Sequence, residues 1–251
     1  MSENKSIKIG CDNCRDLDNL GFDISMAFQP IIDIQAKKIV SYEALVRGIN
    51  GESAYSILSK VNNDNLYIFD QCCRIKAIEK AVALGIDTNL NINFMPNAVY
   101  KPETCIRKTL EASRDYGFPL HKINFEVIES EAIKDFNHLI DIITYYRKVG
   151  FTTVLDDFGS DHANLDMLSK IDIVKLDMVL IRDIDKNDKL KTIVSSTVNM
   201  LHSLGIEVIA EGVETKLEYE LLKSYGVKLF QGYYFAKPGF EALPTIDWSI
   251  I

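Results

Sequence analysis

Glu43, Glu126, Asp156, Asp157, Asp177 and Glu211 share a position in the sequence: each lies at or near the end of a short β-like stretch. Asn93, Lys175 and Arg47 stand at such ends too, and Gln29 and Gln231 fall inside two further stretches. The eight stretches are residues 26–32, 39–46, 90–94, 123–128, 152–157, 173–177, 207–211 and 229–235. Carboxylate and amide oxygens are the donors that hard divalent cations take, and a lysine and an arginine beside them supply the charge that phosphate oxygens seek. Gathered in one place, these side chains would make a site for a divalent metal and a phosphorylated ligand.

What would gather them is a barrel. Between the stretches the pattern turns helical, over residues 53–61, 64–84, 102–116, 133–149, 163–170, 188–204 and 216–225. Pro102 stands in one first turn, and Gly117 and Gly150 follow helix ends, where a left-handed residue is wanted. Strand and helix alternate, which is the α/β pattern, and in an eight-stranded β/α barrel the C-terminal strand ends meet around one mouth. One connection is too short: residues 33–38 cannot hold a parallel crossover, which needs about a dozen residues, so the first two strands should form an antiparallel hairpin. The expected fold is α/β, a modified TIM (β/α)8 barrel with its first strand antiparallel. Gln29 and Pro30 would then lie near the catalytic face although they come early in their strand.

Alternation limits which neighbours can cooperate, because residues i and i+2 share a strand face while i and i+1 do not. Lys175 and Asp177 can both point inward. Asp156 and Asp157 cannot, so Asp157 is expected to reach the site from a turn that Gly159 permits. Two adjacent aspartates at a strand end suit two metals, one carboxylate bridging.

The chain of 251 residues is 47% hydrophobic and 25% charged, enough to bury one large core. Residues 1–24 read as a short polar lead-in and residues 25–251 as the barrel domain. The net charge of -8 argues against non-specific binding to a nucleic acid polymer or an anionic membrane, so a polyanionic ligand would need metal ions or a few placed cations. No apolar run approaches the roughly 20 residues of a membrane helix, and the start lacks a signal peptide's apolar core, so a cytoplasmic protein is expected. Five cysteines, Cys11, Cys14, Cys72, Cys73 and Cys105, are an odd count that disfavours a disulfide framework. Cys11 and Cys14 form one C-x-x-C without a second pair to complete a zinc site, and Cys72 and Cys73 read as helix packing.

The segment Tyr42-Glu43-Ala44-Leu45-Val46-Arg47 resembles the signature of the EAL-domain cyclic-di-GMP phosphodiesterases. The resemblance continues through Gln29-Pro30-Ile31, Ile92-Asn93, Phe125-Glu126-Val127-Ile128-Glu129, Asp156-Asp157-Phe158-Gly159 and Lys175-Leu176-Asp177. It ends with Ala210-Glu211-Gly212-Val213-Glu214-Thr215 and Phe230-Gln231-Gly232-Tyr233, so that it spans about residues 27–238 in the family's order.

The resemblance implies hydrolysis of cyclic-di-GMP to linear pGpG by two divalent cations, Mg²⁺ or Mn²⁺, and the chemistry of the ligand set makes Ca²⁺, which is expected to bind the same oxygens but to misalign and under-activate the water through its longer bonds and weaker acidity, Ca²⁺ inhibitory. It implies Glu43, Asn93, Glu126 and Asp156 as ligands of the first metal, and Asp156 and Asp157 as ligands of the second. Lys175 is implied to position and help activate the attacking water, and Glu211 to be the essential acid near the metals. Gln29, Arg47 and Gln231 resemble substrate contacts, and Asp177 is grouped with them. Glu129 and Glu214 resemble supporting acids, Glu129 with the catalytic set and Glu214 on the substrate side. A homodimer through the segment after the fifth strand, residues 160–170, is implied as well.

This chain departs from the family where Ser160-Asp161-His162-Ala163-Asn164 replaces a common Thr-Gly-Tyr-Ser-Ser, which bears on regulation and basal rate. His162 could be read as a metal ligand, but at a position the family fills with an aromatic residue it is expected to pack or to sit at an interface. The alternative from the binding class is a catalytically weak cyclic-di-GMP sensor or protein-binding EAL module. A further alternative is an unrelated metal-using barrel enzyme acting on a phosphosugar or carboxylate.

Overall fold

The computed structural model describes residues 20–128, 135–160 and 165–251. Strand β1 (Ile24–Asp33) and strand β2 (Lys38–Gly48) open the chain, followed by helices α1 (Ala54–Leu58) and α2 (Leu66–Ala83) and strand β3 (Asn89–Phe94). Helices α3 (Pro102–Cys105) and α4 (Arg107–Tyr116), strand β4 (Ile123–Ile128), helix α5 (Phe136–Val149) and strand β5 (Thr152–Phe158) come next. A 3₁₀ turn (Leu165–Lys170), strand β6 (Ile173–Leu176), and helices α6 (Met178–Ile181) and α7 (Asp188–Ser203) follow. Strand β7 (Glu207–Ala210), helix α8 (Lys216–Ser224), strand β8 (Leu229–Phe230) and strand β9 (Gly239–Phe240) complete the order.

β1 and β2 pair antiparallel, with Gln29 opposite Glu43, as the short connection requires. From β2 to β8 each strand is parallel to the next. β8 then returns to β1 through Ile32 and Asp33, which closes the eight-stranded barrel. β9, which the sequence pattern did not announce, runs beside β8 along the same edge of β1, pairing with Ala27 and Phe28. Nearly all of β1 is buried on both faces, which accounts for its mainly apolar sequence, interrupted by Ser25, Gln29 and Asp33.

The helices carry the punctuation expected of them. Asp135 caps α5 by accepting from the His138 N–H, and Gly150 at its other end adopts φ 108°. The stretch 102–116, read as one helix, is two, parted at Ile106. The last predicted strand is shorter than the residues 229–235 expected, because the chain turns away at Gly232. There Val213 packs so closely that any Cβ would collide with its backbone, while the Val213 N–H donates to the Gln231 carbonyl. No helix among the described residues is long and apolar enough to cross a membrane.

The larger core lies between strands and helices, with aromatic contacts among Phe94, Phe125, Tyr146 and Phe151. Inside the barrel a separate apolar layer consists of Ile31, Val154, Ile173, Ile209 and Leu229. Two residues from each of these, on the same strand face, stand Gln29, Asp156, Lys175, Glu211 and Gln231. Period-two alternation thus stacks a polar tier directly over an apolar floor, at the end of the barrel where the parallel strands terminate.

Candidate metal centre at the barrel mouth

Lys175 is the hub of the polar tier. Its side chain is 1% exposed, and its Nζ lies 2.8 Å from Glu211 Oε2, 2.9 Å from Asp156 Oδ1, 3.1 Å from Glu43 Oε2 and 3.4 Å from Glu126 Oε2. Glu43 comes from β2, Glu126 from β4, Asp156 from β5 and Lys175 from β6, while Glu211 immediately follows β7. Residues distant in the chain are therefore brought together by strand order and register.

Neighbouring amides hold the carboxylates in place. Gln231 Nε2 donates to Glu43 Oε2 at 2.7 Å and to Gln29 Oε1 at 3.3 Å, and Gln29 Nε2 donates in turn to the Ala236 carbonyl at 3.1 Å. Asn93 Nδ2 donates to Glu43 Oε1 at 3.0 Å. Glu126 Oε1 accepts from Asn91 Nδ2 at 2.6 Å, and Asn91 Oδ1 accepts from Asn124 Nδ2 at 2.9 Å and from the Ser41 hydroxyl.

The adjacent aspartates both reach the mouth, by a route other than the turn expected at Gly159. β5 runs through to Phe158, and its pairing with β6 jumps from Leu155 opposite Val174 to Phe158 opposite Leu176. Asp157 takes the extra position with φ 56°, a bulge that re-aims one side chain without ending the strand. Gly159 has a different constraint: Leu180 lies where its Cβ would be.

Carboxylate oxygens of Glu43, Glu126 and Asp156 lie within 4.8 Å of one another, and so do those of Asp156, Asp157 and Glu211. Asp156 belongs to both groups, which is the sharing that two neighbouring cations require. The donor set consists of oxygens without His or Cys, the chemistry of Mg²⁺ or Mn²⁺ rather than zinc. Asn93 Oδ1 is buried beside this set and has no hydrogen-bond partner, an acceptor left open where a cation would take it. Charge points the same way: once ionised to bind metal, the five carboxylates of the two groups, less the one ammonium, would carry four negative charges, the complement of two divalent cations. The residues therefore fit a pair of hard metal ions.

Proton affinities register the same excess of negative charge. Burial, then the charge of Glu43, pushes Glu126 well above the ordinary carboxylate range. Burial raises Glu211 to about 8 against the opposing pull of Lys175. Burial and the Asp156 charge raise Asp157 to about 7, and a hydrogen bond with Asp177 adds to that rise. Asp156 is raised by burial, against Lys175. Glu43 alone is lowered: burial opposes its ionisation, but Lys175 and the amides of Gln231 and Asn93 together outweigh it. Lys175 stays charged, since the four carboxylates more than offset the burial that would depress it.

The remaining sequence-predicted residues surround this cluster. Asp177 lies one residue beyond β6, half-buried, where its carboxylate caps α6 by accepting from the Val179 N–H at 2.6 Å. Arg47, at the end of β2, is half-buried and donates to the Val46 carbonyl at 2.7 Å, with no carboxylate partner among the described residues. Glu214 pairs with Arg182 at 2.9 Å. Glu129 lies outside the described residues, as do Cys11, Cys14, Asp161, His162 and part of the segment expected at a dimer contact. Beside Asn93, a cavity of about 170 Å³ opens between β2, α2 and β3, lined by apolar groups such as Val46, Phe69 and Met95 and by Asp70.

Sequence reasoning overlooked Asn91, Arg182 and Glu218. Asn91 was discoverable, since it lies two residues before Asn93 on the same strand face. Glu218 was discoverable too, because Thr215-x-x-Glu218 is a capping-box pattern, here formed in full.

The family model described as the EAL domain matches residues 16–238. The chain is 51% identical to a standalone versatile EAL protein from Vibrio cholerae O395, solved in its c-di-GMP bound form, with a TM-score of 0.87 and coverage of 91% of this chain and 98% of that one. It is 31% identical to Klebsiella pneumoniae BlrP1 in a manganese and cyclic-diGMP complex, with a TM-score of 0.83 and coverage of 90% of this chain and 58% of that one. BlrP1 has also been solved with calcium and cyclic-diGMP. The cyclic di-GMP phosphodiesterase PdeR of Escherichia coli is 29% identical over 220 residues, which is 84% of this chain and 33% of that protein. The chain spans from about a fifth to just over half the length of the curated relatives it matches.

Proposed function

This chain belongs to the EAL domain family, and on that premise we propose that it hydrolyses cyclic-di-GMP to linear pGpG with two divalent cations, Mg²⁺ or Mn²⁺. The observation that carries the reading is the convergence of Glu43, Glu126, Asp156 and Glu211 on one buried lysine, beside the open Asn93 oxygen. The relatives named for cyclic-di-GMP hydrolysis or solved with cyclic-di-GMP supply the substrate class.

In the reaction a water oxygen adds to phosphorus, the bond from phosphorus to the ribose 3′ oxygen breaks, and that oxygen leaves with a proton. Cations bound at the mouth would lower the pKa of the attacking water and stabilise charge on the attacking and leaving oxygens. Glu43, Asn93, Glu126 and Asp156 would hold one ion, and Asp156 and Asp157 the other. Lys175, pinned by its carboxylates, would position the water, and Glu211 beside it would hold or release a proton. Arg47, unpaired with any carboxylate among the described residues, would clamp a phosphate. Gln29 and Gln231 would contact the substrate while they orient Glu43, and Asp177 would flank it. Glu129 and Glu214 would support the catalytic and substrate sides in turn. The apolar cavity beside Asn93 offers a slot for one nucleobase.

Incubation of the purified protein with cyclic-di-GMP and Mg²⁺ or Mn²⁺, with products separated by chromatography, tests this. Appearance of pGpG supports the enzyme, and retention of intact nucleotide by a protein that binds but does not cleave it supports the sensor reading. In a third arm Ca²⁺ is expected to bind and to inhibit, because its longer bonds and weaker acidity misplace and under-activate the water. Two copies are further proposed to pair through residues 160–170, where Leu165 is 60% exposed, and sedimentation of Lys170→Glu, expected to shift dimer to monomer, checks it.

A further inference from the structure

We infer that Arg182 is a positioning residue for Glu211, acting through the turn that follows β7; the inference rests on the metal-centre reading above. Glu211 is the one carboxylate of the centre that lies outside regular structure, immediately after the end of β7. Its 19% exposed side chain is also freer than Glu43, Glu126 or Asp156. Its backbone N–H still donates to the Leu176 carbonyl at 3.2 Å, but the chain beyond it leaves the sheet and has to be held by other contacts.

The turn from Glu211 to Thr215 is tied at Val213 to Gln231 and Tyr234 through the backbone, and side chains hold it from two further sides. On one side the buried Glu218 carboxylate accepts from the backbone N–H groups of Glu214 and Thr215, both at 3.0 Å. On the other, Arg182, just past α6, reaches over the turn. Its Nη1 lies 2.9 Å from Glu214 Oε2 and 3.5 Å from Glu218 Oε1, and its Nη2 donates to the Gly212 carbonyl at 3.4 Å. One guanidinium thus touches the residue directly after Glu211, the acid that ends the turn's contacts, and the buried acid that caps α8.

Steric contact makes the arrangement stiff. Gly212 has φ 66°, and a Cβ on it would lie 2.6 Å from Met178 Cβ at the start of α6. The turn is therefore pressed against α6 by packing and tied to it by Arg182. A flat, forked cation suits this task, because one face must satisfy a carbonyl and two carboxylates together. Outer groups of this kind fix the orientation of a metal ligand, and their loss costs about 10- to 100-fold in metal affinity or activity.

The test is made on the full chain. Wild-type pGpG release and Mn²⁺ binding, the latter followed by the electron paramagnetic resonance signal of free Mn²⁺, come first; absence of both would fault the metal-centre reading itself. In Arg182→Gln, with folding checked by thermal melting, Mn²⁺ half-saturation is expected to rise about tenfold and kcat at saturating metal to fall. Any rise in the KM for cyclic-di-GMP, through loss of the Glu214 pair, should be smaller than the rise in Mn²⁺ half-saturation. Arg182→Lys keeps a charge near Glu214 but cannot fork to the Gly212 carbonyl, so its Mn²⁺ half-saturation should fall between the two. If Arg182→Gln does not fold, Arg182→Lys carries the test alone. Wild-type Mn²⁺ binding in whichever folded variant carries the test, or a change confined to the cyclic-di-GMP KM, overturns the assignment.

Discussion

Among the described residues, two clusters of buried charge, one on α2 and one at the barrel mouth, are built on opposite plans. On α2, Arg74 meets Asp70 at 2.7 Å, one charge for one, and donates to the Tyr146 hydroxyl at 2.9 Å. Its guanidinium sits 5.5, 5.1 and 5.8 Å from the ring centres of Phe94, Phe125 and Tyr146. Asp70 also accepts from the Met95 N–H at 3.0 Å, which ties α2 to the end of β3. At the mouth, Lys175 faces four carboxylates at once. The first cluster is neutral and walled by aromatic rings, as a structural pair should be. The second is overloaded with negative charge that the protein alone does not balance, and burial of so many acids is costly unless something else compensates. Imbalance, rather than burial of charge as such, distinguishes the candidate site from the structural pair.

The strongest way to break this contrast is to remove one acid from the mouth. Glu43→Ala or Asp156→Ala should lower cyclic-di-GMP turnover on the order of a thousandfold, since a metal supplies several kcal/mol to such a reaction. The fold should persist, because the variant relieves repulsion. Near-normal pGpG release by purified Asp156→Ala would end the two-metal assignment.

The reverse should hold on α2. Arg74→Met removes one partner of a buried pair and should cost about 3 to 5 kcal/mol of stability, read from urea unfolding. The kcat per folded molecule should change little, with any effect confined to the substrate KM through Asp70 in the cavity wall. A variant as stable as the wild type would mean that the pair is dispensable.

Within the mouth, Lys175 and Arg47 should separate in steady-state kinetics. Lys175→Ala is expected to lower kcat about a hundredfold, as the loss of a charge acting in the chemical step. Arg47→Ala should raise KM about tenfold with a smaller change in kcat, as the loss of a charged hydrogen bond to the bound phosphate. The opposite pattern would exchange the two roles.

The smallest effect is on pH dependence. Asp157 and Glu211 are raised to about 7 and about 8 in the folded, metal-free protein. A carboxyl with a raised folded pKa contributes stability below its unfolded pKa and loses it as pH rises through the folded value. The metal-free protein should therefore melt lower at pH 8 than at pH 5, and Glu211→Gln should shrink that difference by a few degrees. Metal binding must displace these protons, so Mn²⁺ affinity should rise between pH 6 and about 8. An unchanged melting difference in Glu211→Gln would show that the mouth acids do not carry it.

The sequence by itself determined which side chains could meet. Alternation and the short link between the first two strands dictated a barrel with a reversed first strand, and such a barrel sends Glu43, Asn93, Glu126, Asp156 and Lys175 to one mouth whatever the details of packing. Gln29 was legible for the same reason, since its strand runs backwards. Local pattern could not give how these residues meet, because that depends on register and on close contacts between distant segments. Only the tertiary structure places Lys175 against four acids, seats Gln231 on Glu43, and tucks Glu218 under the turn after β7. It also decides that Asp157 reaches the mouth by a bulge inside β5 rather than by a turn at Gly159, since a bulge depends on the partner strand as much as on its own residues. Residue type and period are properties of the chain, whereas distance, burial and the charge balance they set belong to the fold.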